Sequence, residues 1–220
     1  MFLSKLTINI RSRTFRRDYA NVHDMHRTLM SVYPELPPSN EARRTHGLLW
    51  RLDSHRGGFV QYVQSHSKPE WSKLPTGHLA APAEVRPLQP VLDAVSPGRK
   101  FAFRFTANPT KCDSKTRKRF PLRQPTDQID WLIRQGERHG FVVPSAAGGL
   151  PDLAVTPIAA ATGRKDGSTK ITVEPVRFDG HLIVTDREAF TAALADGIGR
   201  AKAYGCGLLS LAPARNLPVA

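Results

Sequence analysis

The sequence predicts an α+β protein built from two tandem ferredoxin-like βαββαβ units. In the first half, apolar patterns follow one another as strand, helix, strand, strand, short helix and strand, which is the βαββαβ order. The second half can be divided in the same way, and 220 residues are enough for two such units. We place the boundary near Cys112, so that the units span residues 1–112 and 113–220.

Local patterns define the elements of the first unit. Residues 2–10 alternate with a period of two and predict a strand, whereas the basic segment SRTFRRDYAN at 12–21 predicts a loop. Asn21 is a favourable helix N-cap with Asp24 in a capping-box-like position, and the helix ends near Tyr33. The remaining elements are strands at 47–52, 59–64 and 100–106, with a short helix near residue 92.

The second unit is predicted from weaker patterns. Thr126 and Asp186 are N-cap candidates for helices that extend to about His139 and Ala195. The Asp-Gly pair at 179–180 lies between two apolar segments and predicts a hairpin turn. The predicted strands are residues 118–122, 141–143, 153–158, 171–178, 181–184 and 208–212.

The charge balance indicates a polyanionic partner. The formal net charge is +13, and each contacted phosphate would release condensed counterions. A solvated basic surface would explain the charge alone, but the clustering of the basic residues favours nucleic acid. Membrane binding is disfavoured, because the sequence has neither a basic amphipathic helix with an aromatic face nor a long apolar span. The two cysteines match no zinc or disulfide pattern, so the expected compartment is the cytoplasm.

The first candidate site is the helix that carries His23 and His26. A separation of three places both imidazoles on one flank, and His26 falls at the edge of the apolar stripe. Histidine suits general acid–base catalysis because its pKa lies near neutrality. On the pattern alone, a partly buried core histidine or an exposed surface pair is the more common explanation. A metal pair lacks a third ligand nearby in the sequence.

Three basic segments are candidates for phosphate binding. The first, at 111–123, is dense in Lys and Arg, and like charges this close repel one another unless an anion compensates them. The second, GIGRAKAYGCGLLSLAP at 197–213, combines glycines with two cations, although a tight turn before a last strand would also explain it. The third, RKDGSTK at 164–170, is either an RNA-contacting loop or a solvated one.

Taken together, these segments resemble the CasE (Cse-type) endoribonucleases, the repeat-processing subunits of type I-E CRISPR Cascade complexes. The similarity runs nearly end to end. It is carried by FLSKLTIN, RRDYANVHDMHRTL, FRFTANPTK, QIDWL, VRFDGHLIV and the glycine-rich ending GIGRAKAYGCGLLSLAP. The ANPxK turn and the glycine-rich ending are the more specific of these.

The resemblance implies two ferredoxin-like, RRM-related domains and a specific reaction. Such an enzyme cuts precursor RNA at the 3′ base of the repeat hairpin without a metal or cofactor. A ribose 2′-OH attacks the phosphate and leaves a 2′,3′-cyclic phosphate or related end. The processed guide stays bound, and the expected partners are this RNA and the other Cascade subunits.

The resemblance also assigns residues. His26, in the segment MHRTL, falls on the position of the family's catalytic histidine, while His23 stands where members often carry tyrosine. We hypothesise that His23 retains a catalytic role. From the place of one arginine beside His26 and from the three basic segments, not from the resemblance, we expect the RNA contacts Arg27, Lys111, Arg117, Lys118, Arg119, Arg164, Lys165, Arg200 and Lys202.

Two alternatives stay open. One is a non-catalytic RNA-binding module of the RRM-like class. Its aromatic signature is approached only by FAFRFT at 101–106, where core packing explains the phenylalanines more simply. The other is a metal-dependent nuclease, which is disfavoured because the sequence shows no carboxylate cluster.

Overall fold

The computed structural model describes residues 1–35, 45–146 and 148–214. Within these ranges the chain is a mixture of β-sheets and a few helices, as the α+β prediction requires. Two larger antiparallel sheets each pack one face against helices, and two short β-hairpins project from the second half of the chain.

The first sheet has the strand order β2-β3-β1-β4, and its neighbours pair antiparallel. Trp50 and Val63 from the sheet pack with Met25 and Leu29 from the second helix, and these four residues are all buried. The elements are β1 (Phe2–Ile8), α1 (Arg13–Ala20), α2 (Val22–Met30), β2 (Leu49–His55), β3 (Gly58–Ser65), a 3₁₀ turn (Trp71–Lys73) and β4 (Glu84–Pro87).

The second sheet has the order β13-β5-β12-β8, with β9 also paired to β12. Its core contains Phe105, which stacks on Trp131 and Phe178 with ring centroids 6.3 and 6.1 Å away. Its elements are α3 (Gln89–Asp93), β5 (Lys100–Ala107), β6 (Thr110–Cys112), β7 (Arg119–Pro121), α4 (Pro125–Arg138), β8 (Phe141–Val142), β9 (Leu153–Pro157), β10 (Ala161–Lys165), β11 (Thr169–Val173), β12 (Val176–Val184), α5 (Arg187–Asp196), a 3₁₀ turn (Lys202–Tyr204) and β13 (Leu209–Pro213).

The strand at 100–106 forms as predicted, but its assignment to the first unit is wrong. As β5 it pairs with β12 and β13 in the second sheet, and β4 takes the fourth position in the first. The physical reason is the phenylalanine face: Phe101, Phe103 and Phe105 are all buried in the second core. The chain therefore changes sheets between Pro87 and Lys100, before the predicted boundary at 112.

The basic segment 12–21 is a helix and not the predicted loop. The Ser12 side chain accepts a hydrogen bond from the Phe15 backbone N–H at 3.3 Å and caps α1. The helix buries Phe15 and Asp18 while its arginines remain exposed. The helix was not predicted because its segment is highly charged and its short amphipathic pattern has only one large apolar residue in the first turn.

The hairpin turn predicted at Asp179–Gly180 does not form. The Asp179–Gly180 pair lies inside the continuous strand β12, where Asp179 accepts a 2.6 Å hydrogen bond from Arg104 Nε. The backbone carbonyl of Asp152 lies against Gly180 and leaves no room for a Cβ, so glycine here allows the two strands to approach closely.

The predicted Thr126 cap is wrong by two residues, because α4 begins at Pro125 after Gln124. The predicted strand 118–122 is β7, one half of the small β6–β7 hairpin.

Side chains from the first sheet join the two halves. Arg51 is only 4% exposed, and it donates to Asp53 on its own strand at 2.8 Å and to Ser210 Oγ on β13 at 2.9 Å. Asp53 in turn lies 3.4 Å from Arg104 of β5. Gln64 Nε2 donates to the carbonyl of Leu194 at 2.6 Å. The second sheet is thus fixed to the first by buried polar bonds.

We expect Asp53→Ala to destabilise the protein strongly. The change leaves the guanidinium of Arg51 buried without its carboxylate, and breaking such a pair costs about 3 kcal/mol or more. Urea unfolding followed by circular dichroism measures the effect.

Glu84→Ala is the matched control for this experiment. It removes an ion pair with Lys5 whose side chains are 44% and 52% exposed, and solvent-exposed pairs contribute little to stability. Equal shifts in the urea midpoint for the two variants would show that the Arg51 network does not hold the sheets together.

Candidate nucleic-acid interface

The N-terminus of α2 is tied to the second half of the chain by Asn21. Its side-chain oxygen accepts from the backbone N–H of His23 and from that of Arg164 on β10, both at 3.2 Å. Its Nδ2 donates to Asp24 Oδ2 at 2.9 Å, so the predicted cap and its acidic partner are both in use. The cap of α2 is therefore also the anchor of the β10–β11 hairpin.

Glycine allows this close approach. A Cβ on Gly163 would meet the Asn21 side-chain oxygen and lie 3.2 Å from the backbone nitrogen of His23. Farther along the hairpin, Ala161 and Ile171 pack against the first core. The hairpin is thereby docked on the first half of the chain, although it is encoded in the second.

His23 and His26 are both half-buried on α2. Taking ~100° per residue, His26 lies about 60° to one side of His23 and Arg27 about 40° to the other. The His23 ring packs edge-on to the Tyr204 ring, with centroids 6.5 Å apart. Its Nδ1 is buried and has no hydrogen-bond partner among the described residues. Tyr204, which the sequence analysis did not single out, thus supports one face of the candidate histidine.

An open groove of about 520 Å³ runs between α2 and the turn of the β10–β11 hairpin. Arg27, with a 74% exposed side chain, enters it from the helix, and Arg164 enters it from the hairpin. The groove is lined by Asn21, His23, Asp24, Arg27, Arg164, Asp166 and Gly167. It therefore combines an imidazole and two guanidinium groups with the carboxylates of Asp24 and Asp166, and its guanidinium groups suit a phosphodiester better than an apolar ligand.

A second groove of about 450 Å³ adjoins the first through Asp24 and Arg27. Here Arg17 donates to the buried carboxylate of Asp18 at 2.7 Å and lies 3.4 Å from Thr28 Oγ1. The hydrogen bond and the charge of Asp18 raise the pKa of Arg17, so this cation is held in place over the helix.

The basic run at 111–119 forms the exposed β6–β7 hairpin. Asp113 holds its turn by accepting from the Thr116 N–H at 2.7 Å and the Thr116 hydroxyl at 2.8 Å, and these bonds lower the pKa of Asp113. The four predicted contacts that this hairpin exposes to solvent are Lys111, Arg117, Lys118 and Arg119. They form a basic surface of their own and do not line the groove at α2.

The glycine-rich segment packs between the two halves. A Cβ on Gly205 would lie 3.0 Å from the Trp50 ring, and Trp50 Nε1 donates to the carbonyl of Ala203 at 3.1 Å. A Cβ on Gly197 would lie 2.7 Å from the Leu49 side chain. Close packing thus accounts for these glycines. Of the cations here, Arg200 is exposed and Lys202 is half-buried, where its charge adds to burial in lowering the pKa of His139.

The structure thus brings together part of the predicted site. His23, Arg27 and Arg164 line one groove, with His26 next to them on α2, whereas Lys165, Arg200 and Lys202 are not among the lining residues. Phe101, Phe103 and Phe105 are at most 5% exposed, so they are not positioned to stack on bases.

The described residues show no sign of a metal site or of a membrane-spanning helix. In residues 1–35, 45–146 and 148–214, no group of three or more His, Cys, Asp or Glu side chains is arranged to hold a metal ion. The same ranges contain no helix long and apolar enough to cross a bilayer. Both cysteines are free, and burial raises the pKa of Cys206 to about 12.

Similar proteins identify the family. The family described as "CRISPR associated protein" matches residues 1–213. The CRISPR-associated endoribonuclease Cse3 of Thermus thermophilus is 37% identical over 219 residues, covering 97% of this chain and 100% of the relative. The CRISPR system Cascade subunit CasE of Escherichia coli is 30% identical over 232 residues, with 97% and 100% covered.

Solved structures agree with the sequence matches. The Cse3 endoribonuclease bound to a 19-nucleotide RNA superposes with a TM-score of 0.82 at 37% identity, covering 97% of this chain and 100% of that one. A chain of a CRISPR RNA-guided surveillance complex superposes with a TM-score of 0.68 at 29% identity and the same coverage. The expected resemblance to CasE is confirmed, and the chain belongs to the CRISPR associated protein family.

Proposed function

We propose that the protein is an endoribonuclease that cleaves CRISPR precursor RNA at the 3′ base of the repeat hairpin. The observation that carries the proposal is the groove where His23, Arg27 and Arg164 meet, in a chain that aligns over 97% of its length with an endoribonuclease. Cse3, whose structure is known with RNA bound, and CasE, a Cascade subunit, support an RNA substrate and Cascade partners for this chain.

We propose a reaction that needs no metal. The ribose 2′-OH attacks the adjacent phosphorus and the 5′ oxygen leaves, which yields a 2′,3′-cyclic phosphate. A general base takes the proton of the 2′-OH, and a general acid gives a proton to the leaving 5′ oxygen. His26 fills one of these two roles, and His23 fills the other or positions the 2′-OH. Around the helix, His23 lies between His26 and Arg27. A phosphate bound over His23 is therefore approached by His26 from one side and by Arg27 from the other. Arg27 and Arg164 then stabilise the charge that develops on the phosphoryl oxygens.

RNA retention is assigned to the remaining cations. The β6–β7 hairpin presents Lys111, Arg117, Lys118 and Arg119 on one exposed element, which suits the phosphates of a duplex stem. Lys165 extends the basic edge of the β10–β11 hairpin, and Arg200 and Lys202 belong to the glycine-rich segment whose Ala203 carbonyl accepts the hydrogen bond from Trp50. A product held by this many charges stays bound after cleavage and is available for Cascade assembly.

We further propose that the two sheets are two tandem ferredoxin-like units. If the strands are numbered from the start of each unit, the first sheet has the order 4-1-3-2. The second sheet has the same order, with β5 as strand 1, β8 and β9 together as strand 2, β12 as strand 3 and β13 as strand 4. The first unit lacks a regular helix between its third and fourth strands, where the described structure has the 3₁₀ turn at Trp71–Lys73. The division between the units then falls at about residues 88–99 instead of at 112.

We expect His26→Ala to slow single-turnover cleavage of a labelled repeat hairpin by roughly 10²–10⁴-fold, the usual share of general acid–base catalysis. The assay contains EDTA, and a substrate with a 2′-deoxyribose at the scissile position is expected to resist cutting. Digestion of the product with a cyclic-phosphate-specific phosphatase identifies its end.

The control for this assay is His66→Ala, which removes an exposed histidine outside the groove. A wild type that binds the hairpin in EDTA without cutting it, but cuts when Mg²⁺ is added, would reject the metal-free mechanism. A wild type that never cuts would leave the RNA-binding module as the correct class.

We expect His23→Ala to lower the cleavage rate by roughly 10²-fold with RNA affinity retained, because misplacement of reacting groups has costs of this size. His23→Tyr is the informative companion, since a phenol at this position is expected to restore cutting at least partly. Cleavage by His23→Ala at the wild-type rate would show that His23 has no catalytic role.

We expect Lys118→Ala to reduce the slope of log Kd against log salt concentration by about 1, which is the loss of one phosphate contact. Lys73→Ala makes the same change in net charge at a lysine paired with Glu70 on the first unit, and it is expected to leave the slope unchanged. Equal slopes for both variants, measured by filter binding, would remove the β6–β7 hairpin from the RNA interface.

A further inference from the structure

A group of aromatic rings lies on the surface of the first unit, outside the groove. Tyr19 at the end of α1 has its ring centroid 5.2 Å from that of Phe59, and both rings pack on Phe15 at 5.9 and 5.5 Å. Phe15 is buried at 3% exposure, whereas Tyr19 is 56% exposed. Ile10 borders the group at 49% exposure, and its side chain lies over Gly58. We call Ile10, Tyr19 and Phe59 the aromatic patch.

The fold does not require this exposure. Helix α1 already buries Phe15 and Asp18, and Tyr19 is the next residue, exposed and with its ring tilted at 41° to that of Phe15. A large ring left in water forgoes the gain from burying apolar area, and exposed aromatic residues in groups mark binding surfaces. The patch is therefore available for a ligand that offers a flat apolar face.

The charges around the patch select the kind of ligand. Arg11, Arg13 and Arg16 are exposed on the same segment, and Arg16 donates to the Arg11 carbonyl at 3.3 Å. The only acid between residues 10 and 20 is Asp18, which is 1% exposed and paired with Arg17. A second copy of this chain would bring equal positive charges together. A nucleotide, in contrast, offers both a base to stack and a phosphate to neutralise.

The position of the patch fits the same substrate. Phe59 pairs with Ile8 at the end of β1 that leads into α1. Tyr19 lies two residues before Asn21, the cap of α2, and four before His23. The second groove, which adjoins the first at Asp24 and Arg27, is lined by Arg17 of α1, so RNA that follows it would reach the helix that carries Tyr19.

We propose that Tyr19 and Phe59, flanked by Arg13 and Arg16, stack on an unpaired nucleotide next to the stem of the bound RNA hairpin. This inference rests on the proposed function. It assigns the patch to the single-stranded part of the substrate, whereas the β6–β7 hairpin takes the duplex.

Equilibrium binding tests the proposal. Two RNAs are compared, a bare repeat hairpin and the same hairpin with its unpaired repeat nucleotides, each with a 2′-deoxyribose at the scissile position so that neither is cut. The flank is expected to improve the Kd of the wild type by roughly 5- to 100-fold, as one stacked base does. In Tyr19→Ala that gain falls to near one, and in Tyr19→Phe, which keeps the ring, it persists.

Val142→Ala is the matched control, because Val142 is 42% exposed and lies on the second sheet. Thermal unfolding confirms that each variant is folded. A gain that survives intact in Tyr19→Ala overturns the proposal and assigns the patch to a protein partner instead. A wild type that binds neither RNA overturns the proposed function itself.

Discussion

The buried guanidinium of Arg51 sets the geometry on which the rest of the structure depends. It bridges the first sheet to Ser210 of the second, and its charge is balanced by Asp53, which also contacts Arg104. A buried cation satisfied from two sheets tolerates little sliding, because any shift breaks hydrogen bonds that water cannot replace. With the two sheets held in this relation, the β10–β11 hairpin reaches Asn21 and closes one side of the groove.

The strands and the central helix could be predicted because their signals are local. The alternation of β1, the Asn21 cap of α2 and the Asp186 cap of α5 all depend on neighbours within a few residues. The membership of β5 in the second sheet could not be predicted, since it depends on pairing with β12, whose residues lie 69 to 83 positions farther along the chain. The Asp179–Gly180 pair misled for the same reason: a turn signal was overridden by the ladder and by the approach of Asp152.

The candidate site shows the same division. Helical spacing placed His23 and His26 on one side of α2, and the resemblance selected His26 among the histidines, while Arg27 was named only as an expected RNA contact. The partner from the second half, Arg164, was named only as part of a basic loop, and its place beside Arg27 is a tertiary fact. Tyr204 and Asn21 were missed as site residues because neither carries a charge. A sequence signal did exist for the packing of this segment, in glycines spaced through 197–207, but it was interpreted as phosphate binding or a tight turn and not as close packing on tryptophan and leucine.

The shared oxygen of Asn21 has a consequence for the order of events during synthesis. Helix α2 is made early, but the hairpin that completes its groove is encoded some 140 residues later, as the hydrogen bond from Arg164 to Asn21 spans 143 positions. A nascent chain in which the first unit has already folded therefore carries the histidines without the opposite wall. Translation and docking of the second half thus act as the maturation step of the groove, and a prematurely terminated chain that ends before β10 cannot assemble it.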